Sequence, residues 1–359
     1  MAKIGLVVEG GGMKCAYGAG ILDRFLDDNI EFDYIIGVSA GSANAASFLA
    51  RQRGRNKRFY TQYLDDPEYL GMKNYIENGQ LFGLQYIYGT LSNADGRDPL
   101  DYDAIMANPA DFEAVATDAW TGRPVYFGKD QLAQDDYSII MASSALPVMC
   151  KPVRIDNRFY FDGGVSDAIP VKRAFEKGCD KVVVITSKPY DFVKNPEGAR
   201  LVYKNKLKGK YPNMVKALDN RHLMYRRCSA LMHECEKEGT AFIFAPSNPP
   251  KMSTYAKDKE IEEQLYDLGL ADYDKLRDKL IEFLNNAIYV NPIQKNLPLA
   301  AFPAYFSIKQ AREFTLWLIY IFLRSTRICS SWWINSFKFN CSFRCCLRTV
   351  FVENNRHFS

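Results

Sequence analysis

Histidine is nearly absent from this chain: there are three in 359 residues, at positions 222, 233 and 357, so the first 221 residues hold none. A serine nucleophile in that region therefore has little access to a histidine base, and an imidazole metal site has no ligands there. Paired cysteines are also missing. The nine cysteines form no Cys-x-x-Cys and no His/Cys cluster at zinc spacing, and the adjacent Cys345-Cys346 suits one metal ion poorly. No metal and no cofactor is expected. Long apolar runs are lacking too. Met-Ala-Lys-Ile-Gly-Leu-Val-Val at the start has no charged segment leading into an extended apolar one, and Phe314 to Leu323 is only ten largely apolar residues. The expectation is a cytoplasmic protein with free thiols, at most peripheral at the inner membrane surface. Net charge is small at +4, and residues 295–359 carry nine Lys and Arg against two Asp and Glu, so the remainder is slightly acidic. Nothing calls for a nucleic-acid partner. A hydrophobic fraction of 47% with 25% charged residues is ordinary for a globular protein.

What is present is a run of strand-turn-helix units. Lys3 to Val8 is a compact apolar run entering Glu9-Gly10-Gly11-Gly12-Met13-Lys14, after which Ala19, Leu22 and Phe25 mark a helix. A glycine loop at a helix N-terminus stabilises negative charge of any origin, so it suits a dinucleotide or an oxyanion. As a dinucleotide fingerprint it has Cys15 at the third small position, and Glu31 or Asp33 as the acid; a Walker loop is excluded by the missing Gly-Lys-Ser/Thr ending. As an oxyanion hole it needs only free N–H groups near a nucleophile, which the next unit supplies. Tyr34 to Val38 reads as a strand, and Gly37-Val38-Ser39-Ala40-Gly41 is a Gly-x-Ser-x-Gly elbow in which Gly37 and Gly41 let strand and helix pass closely. Alone, that pentapeptide is common and could be an ordinary strand-helix turn.

Further along, Phe112 to Thr117 and Pro124 to Phe127 read as strands, and Met141-Ala142-Ser143-Ser144-Ala145-Leu146-Pro147 as a helix of small residues halted by proline. Arg158 to Phe161 is a short strand into Asp162-Gly163-Gly164, a carboxylate on a tight turn. Val171 to Gly178 reads as a short helix, and Lys181 to Thr186 as a buried parallel strand. A helix capped by Asp219 is expected to run to Glu238, followed by a strand over Ala241 to Ala245 and two more helices. The aromatic stretch from Phe59 to Leu91, rich in tyrosine, reads as packing, with an acyl-chain pocket or membrane-touching cap as the alternative.

Taken together, Gly10-Gly11-Gly12-Met13-Lys14, Gly37-Val38-Ser39-Ala40-Gly41, Ala142 to Pro147 and Asp162-Gly163-Gly164 resemble the patatin-like phospholipases in motif, order and spacing. The resemblance implies a three-layer α/β/α patatin-like fold with a mainly parallel central sheet. It implies a serine esterase with Ser39 as nucleophile, Asp162 as base, and Gly10, Gly11, Gly12, Met13 and Lys14 as the oxyanion loop, with Gly163 and Gly164 shaping the turn. Cys15 departs from the family's usual glycine, from which slower or differently shaped acyl binding is expected. A Ser39, Asp162, His222 triad also matches the α/β-hydrolase order. The implied substrate is a phospholipid or lysophospholipid ester at a membrane surface, with other acyl esters or thioesters, or non-catalytic lipid binding, as alternatives. Oligomeric state is not legible.

The organisation expected is a catalytic domain over residues 1–290 and an atypical basic, aromatic, Cys-rich tail over 291–359. Residues 295–359 contain no Gly, Asp or Met but three of the four tryptophans. That tail reads as an interfacial anchor or, as we prefer, as sequence following no packing logic, such as translation past a frameshift, dispensable for activity.

Overall fold

A computed structural model of the chain describes residues 2–252 and 257–286. The tail, His357 and the expected boundary near 290 lie outside the described residues. Eight strands form one sheet: β1 (Ile4–Val8), β2 (Tyr34–Val38), β3 (Asp111–Asp118), β4 (Pro124–Gly128), β5 (Val153–Ile155), β6 (Arg158–Asp162), β7 (Lys181–Ile185) and β8 (Ala241–Phe244). Their order is β5-β6-β3-β2-β1-β7-β8, with β4 also pairing β3. The central pairs β3-β2, β2-β1, β1-β7 and β7-β8 are parallel, and the remaining pairs are antiparallel. Every residue of β2 and β7 is buried, which is why both read as unbroken apolar or β-branched runs rather than alternating ones.

Among the described residues ten α-helices accompany the sheet: α1 (Ala16–Asp27), α2 (Ala40–Leu49), α3 (Arg55–Thr61), α4 (Met72–Asn78), α5 (Tyr102–Ala107), α6 (Ser138–Ser144), α7 (Val171–Glu176), α8 (Arg200–Leu207), α9 (Pro212–Lys237) and α10 (Lys259–Asn285). Side chains alternate across a strand, so each strand feeds two layers. Leu6, Val8, Ile35 and Val183 pack in one core with α1, α2 and α10, while Val7, Ile36, Val182 and Val184 pack in a second with α7 and α9. The architecture is α/β in three layers with a mostly parallel sheet.

Two helix expectations need correction. The helix read as starting at Asp219 begins at Pro212, whose missing N–H costs nothing in a first turn. Asp219 lies inside it, and its carboxylate accepts from Arg200 Nε at 2.8 Å and from the Tyr203 hydroxyl at 2.7 Å rather than capping. The two helices read after β8 are one, α10, whose start Asp258 caps by accepting from the Ile261 N–H. Gly269 does not interrupt it. It lies where α10 crosses α1, and a Cβ there would sit 3.2 Å from the Gly20 Cα.

Candidate active site

Three loops leave the C-terminal ends of parallel strands β1, β2 and β7 at one edge of the sheet, where open α/β folds place their sites. The β2 loop is a sharp elbow. Ser39 has φ 55° and ψ −134°, a conformation that non-glycine residues rarely adopt and that holds the side chain out of the following helix. Its hydroxyl makes no capping bond to α2. The backbone around it is tied down instead: the Ser39 N–H donates to Ser143 Oγ at 2.8 Å, and its carbonyl accepts from the Ser42 N–H and hydroxyl at 2.8 and 2.7 Å. Crowding explains the flanking glycines. A Cβ on Gly41 would lie 2.6 Å from the Val8 and Glu9 carbonyl oxygens, and one on Gly37 2.7 Å from the Ser42 nitrogen.

The β1 loop lies against this elbow. A Cβ on Gly10 would sit 2.7 Å from the Ser39 Cβ, so only glycine permits the approach. The Gly10 carbonyl accepts from Ser187 Oγ at 2.7 Å and from Lys188 Nζ at 3.4 Å, both in the β7 loop. Because the peptide is planar and trans, the Gly11 N–H points the opposite way. Among the described residues neither the Gly10 nor the Gly11 N–H meets an acceptor. Met13 is buried, and Lys14 is half-buried, its pKa lowered by burial and by the charge of Lys188. The Cys15 thiol donates to the Glu9 carbonyl at 3.6 Å, and burial pushes its pKa up. Cys15 is absent from the lining of both cavities described below.

Asp162 arrives from the antiparallel side, at the end of β6, where its N–H donates to the Ala145 carbonyl at 2.9 Å. Its Oδ1 accepts from the Gly164 N–H at 2.7 Å; its Oδ2 is buried with no hydrogen-bond partner. Burial raises the pKa above the ordinary carboxylate value. The nearby Ser39 hydroxyl, the Arg221 guanidinium, the Gly164 N–H and the Lys188 ammonium each pull it part of the way back. The Ser39 hydroxyl is thus close enough to favour the carboxylate without making a full hydrogen bond to its Oδ2, the loose geometry that catalytic pairs often show without substrate.

Two cavities meet at Ser39, sharing Gly12 and Leu146 as well. One, of about 50 Å³, is mainly apolar, with Met13, Phe59, Tyr60, Phe82, Ile87 and Tyr88 in its wall. The other, of about 200 Å³, is polar, and Glu9, Asp162, Lys188, Lys194, Glu197 and Arg221 line it. Part of the Phe59–Leu91 aromatic stretch therefore frames the apolar cavity, while Tyr63, Leu64 and Leu91 pack in the core.

Residues 6–175 match the family model of the patatin-like phospholipases. The chain thus carries a patatin-like segment over a little under half of its length. Residues 211–285 match a second model, a domain of unknown function, DUF6363. The patatin-like chain is 30% identical over 200 residues to the uncharacterized protein YjjU of Escherichia coli (strain K12), a match covering 54% of this chain and 55% of YjjU. It thus spans about half the length of that curated relative. The crystal structure of VipD from Legionella pneumophila aligns with a TM-score of 0.45 at 13% identity, covering 78% of this chain and 67% of VipD.

The patatin-like segment holds the glycine loop, Ser39 and Asp162. The polar cavity's far wall comes from beyond it, and sequence reasoning missed those residues. Lys188 Nζ donates to Glu9 Oε1 at 2.8 Å. Arg221 Nε donates to the Gly164 carbonyl at 2.8 Å, and its Nη1 bonds Glu197 Oε1 at 3.0 Å. The one local signal for Lys188 is its place just after a buried parallel strand, and Arg221, beside His222, carries none. Neither His222 nor His233 lines a cavity at Ser39 or bonds to Ser39 or Asp162, and the His233 ring packs 4.3 Å from that of Tyr190.

Proposed function

We propose that this chain is a serine esterase of lipids, with phospholipid or lysophospholipid acyl esters as substrates, working through Ser39 and Asp162. One observation carries the reading: an unpaired, buried carboxylate oxygen of Asp162 stands beside a strained serine at the junction of an apolar and a polar cavity. The acyl chain enters the apolar side and the alcohol portion lies in the polar side. Asp162 Oδ2 takes the Ser39 proton as Oγ attacks the ester carbonyl carbon. The oxyanion formed is held by N–H groups of the Gly10 to Lys14 loop, of which Gly10 and Gly11 are unpaired among the described residues. Collapse breaks the bond to the alcohol, which leaves with the proton from Asp162, and an acyl-serine remains. Water then gives a proton to Asp162 and attacks the acyl carbon. Release of the fatty acid returns that proton to Ser39.

An ordinary aspartate, with a pKa near 3.9, is a weak base toward a hydroxyl. Burial without full pairing raises the basicity of Asp162, while Arg221 and Lys188 keep the carboxylate form accessible. A fluorophosphonate probe tests the nucleophile directly. Labelling of the wild-type chain that vanishes in Ser39→Ala is expected; equal labelling of both removes Ser39 from the mechanism. Rates on phospholipid vesicles against a soluble p-nitrophenyl ester then separate lipid hydrolysis from general esterase activity.

A further inference from the structure

Helices α4 and α8 are linked through two side chains, Tyr75 and Lys206, both of which reach the Val148 carbonyl. Lys206 Nζ bonds the Tyr75 hydroxyl and lies 4.8 Å from the centre of its ring, while Tyr75 also donates to the Val148 carbonyl at 3.3 Å. On α4, Met72, Tyr75 and Ile76 form one stripe at i, i+3 and i+4; on α8, Val202 and Lys206 share a face at i, i+4. Tyr75 and Lys206 thus tie these two faces to the same short segment at Val148. These are not buried side chains. Met72 is 63% exposed, Ile76 78%, Leu201 73% and Val202 51%. Four such side chains, two on each of two helices linked through Tyr75 and Lys206, are more than isolated exceptions.

Charge identifies the occupant. From Arg200 to Lys210 the chain carries five basic residues and no acidic one, and Lys206, Lys208 and Lys210 are exposed. Aliphatic side chains flanked by lysines on long apolar stems suit a bilayer, in which the stems follow the apolar layer and the ammonium groups reach anionic phosphates. Position supports the same partner. The segment that both helices touch at Val148 follows directly from Leu146, which lines both cavities at Ser39, and the Leu81 N–H just after α4 donates to the Met149 carbonyl at 2.6 Å.

We propose that α4 and α8 form a docking face for anionic bilayers, with Met72, Ile76, Leu201 and Val202 inserting among acyl chains and Lys208 and Lys210 meeting anionic head groups beside the mouth of the site. This face is independent of the hydrolytic reading, so it is measured in the full-length Ser39→Ala chain, where no lipid is consumed. Co-sedimentation uses phosphatidylcholine vesicles with and without phosphatidylglycerol. Binding that requires phosphatidylglycerol is expected, with a loss of at least about tenfold in Ile76→Asp/Leu201→Asp and a loss of the preference for phosphatidylglycerol in Lys208→Glu/Lys210→Glu. The same pairs of changes in the Ser39 background should leave fluorophosphonate labelling unaltered, showing that the fold and the site persist. Unchanged vesicle binding in the Ile76→Asp/Leu201→Asp chain overturns the proposal. Binding indifferent to phosphatidylglycerol overturns its electrostatic half.

Discussion

Asp162 has one carboxylate oxygen tied to its own turn and the other left open in a buried place. A carboxylate so placed is kept ready for a proton, and its raised pKa gives the expected acid limb of activity. With the base required in ionised form, kcat/KM should rise with pH through a value above the ordinary carboxylate range, because burial has moved that group up. Asp162→Asn should lose about a thousandfold or more in kcat while keeping its melting temperature, since the amide still accepts from the Gly164 N–H but takes no proton. A small loss there, or an acid limb unmoved from that of a free carboxylate, would assign the base to another group. Ser39 and Asp162 were legible in the sequence because their glycines write the local geometry into the chain: Gly37 and Gly41 are demanded by backbone approach, and Gly163 by the Val115 backbone. Arg221 and Lys188 were not, because nothing local marks them. They reach Gly164 and Glu9 only through the packing of α9 and the pairing of β7 with β1.

At the scale of the element, strands were easier to read than helices. A parallel strand buried on both faces leaves an unbroken apolar signature, as in Lys181 to Ile185, whereas the long helices α9 and α10 carry broken ones. Asp219 resembles an N-cap and Gly269 is a weak helix former, yet tertiary contacts give each another task. The α1–α10 crossing shows which. Gly20 and Gly269 face each other, and a Cβ on Gly20 would lie 3.0 Å from the Leu270 nitrogen. Gly269→Val should therefore force the helices apart and cost about 1–3 kcal/mol, read as a lower urea midpoint. Improved helix propensity argues for the opposite result, and a raised midpoint would show that the crossing has room to relax.

At the scale of the whole molecule, the first turn of α10 places an acid beneath the site. Glu262 is fully buried with both carboxyl oxygens unpaired, and burial raises its pKa to about 9. The sign for stability follows. Below the ordinary glutamate value of 4.5 both folded and unfolded chains hold the proton; between 4.5 and about 9 the unfolded chain gives it up first, so stability falls as pH rises. Melting should accordingly be lower at alkaline pH than near neutrality, and Glu262→Gln should flatten that decline, each ~1 kcal/mol regained appearing as roughly 2–4 °C. An unchanged profile in the variant would place the decline elsewhere.

The meeting of two unlike cavities at one serine also imposes an order of traffic on the proposed reaction. Once the acyl group fills the narrow apolar side, that side is stoppered, and the departing alcohol and the arriving water must use the same polar vestibule. Water can enter only after the first product has left. Any other small alcohol waiting in that vestibule competes with water for the acyl group, and the product ratio becomes a clock for how quickly the vestibule empties.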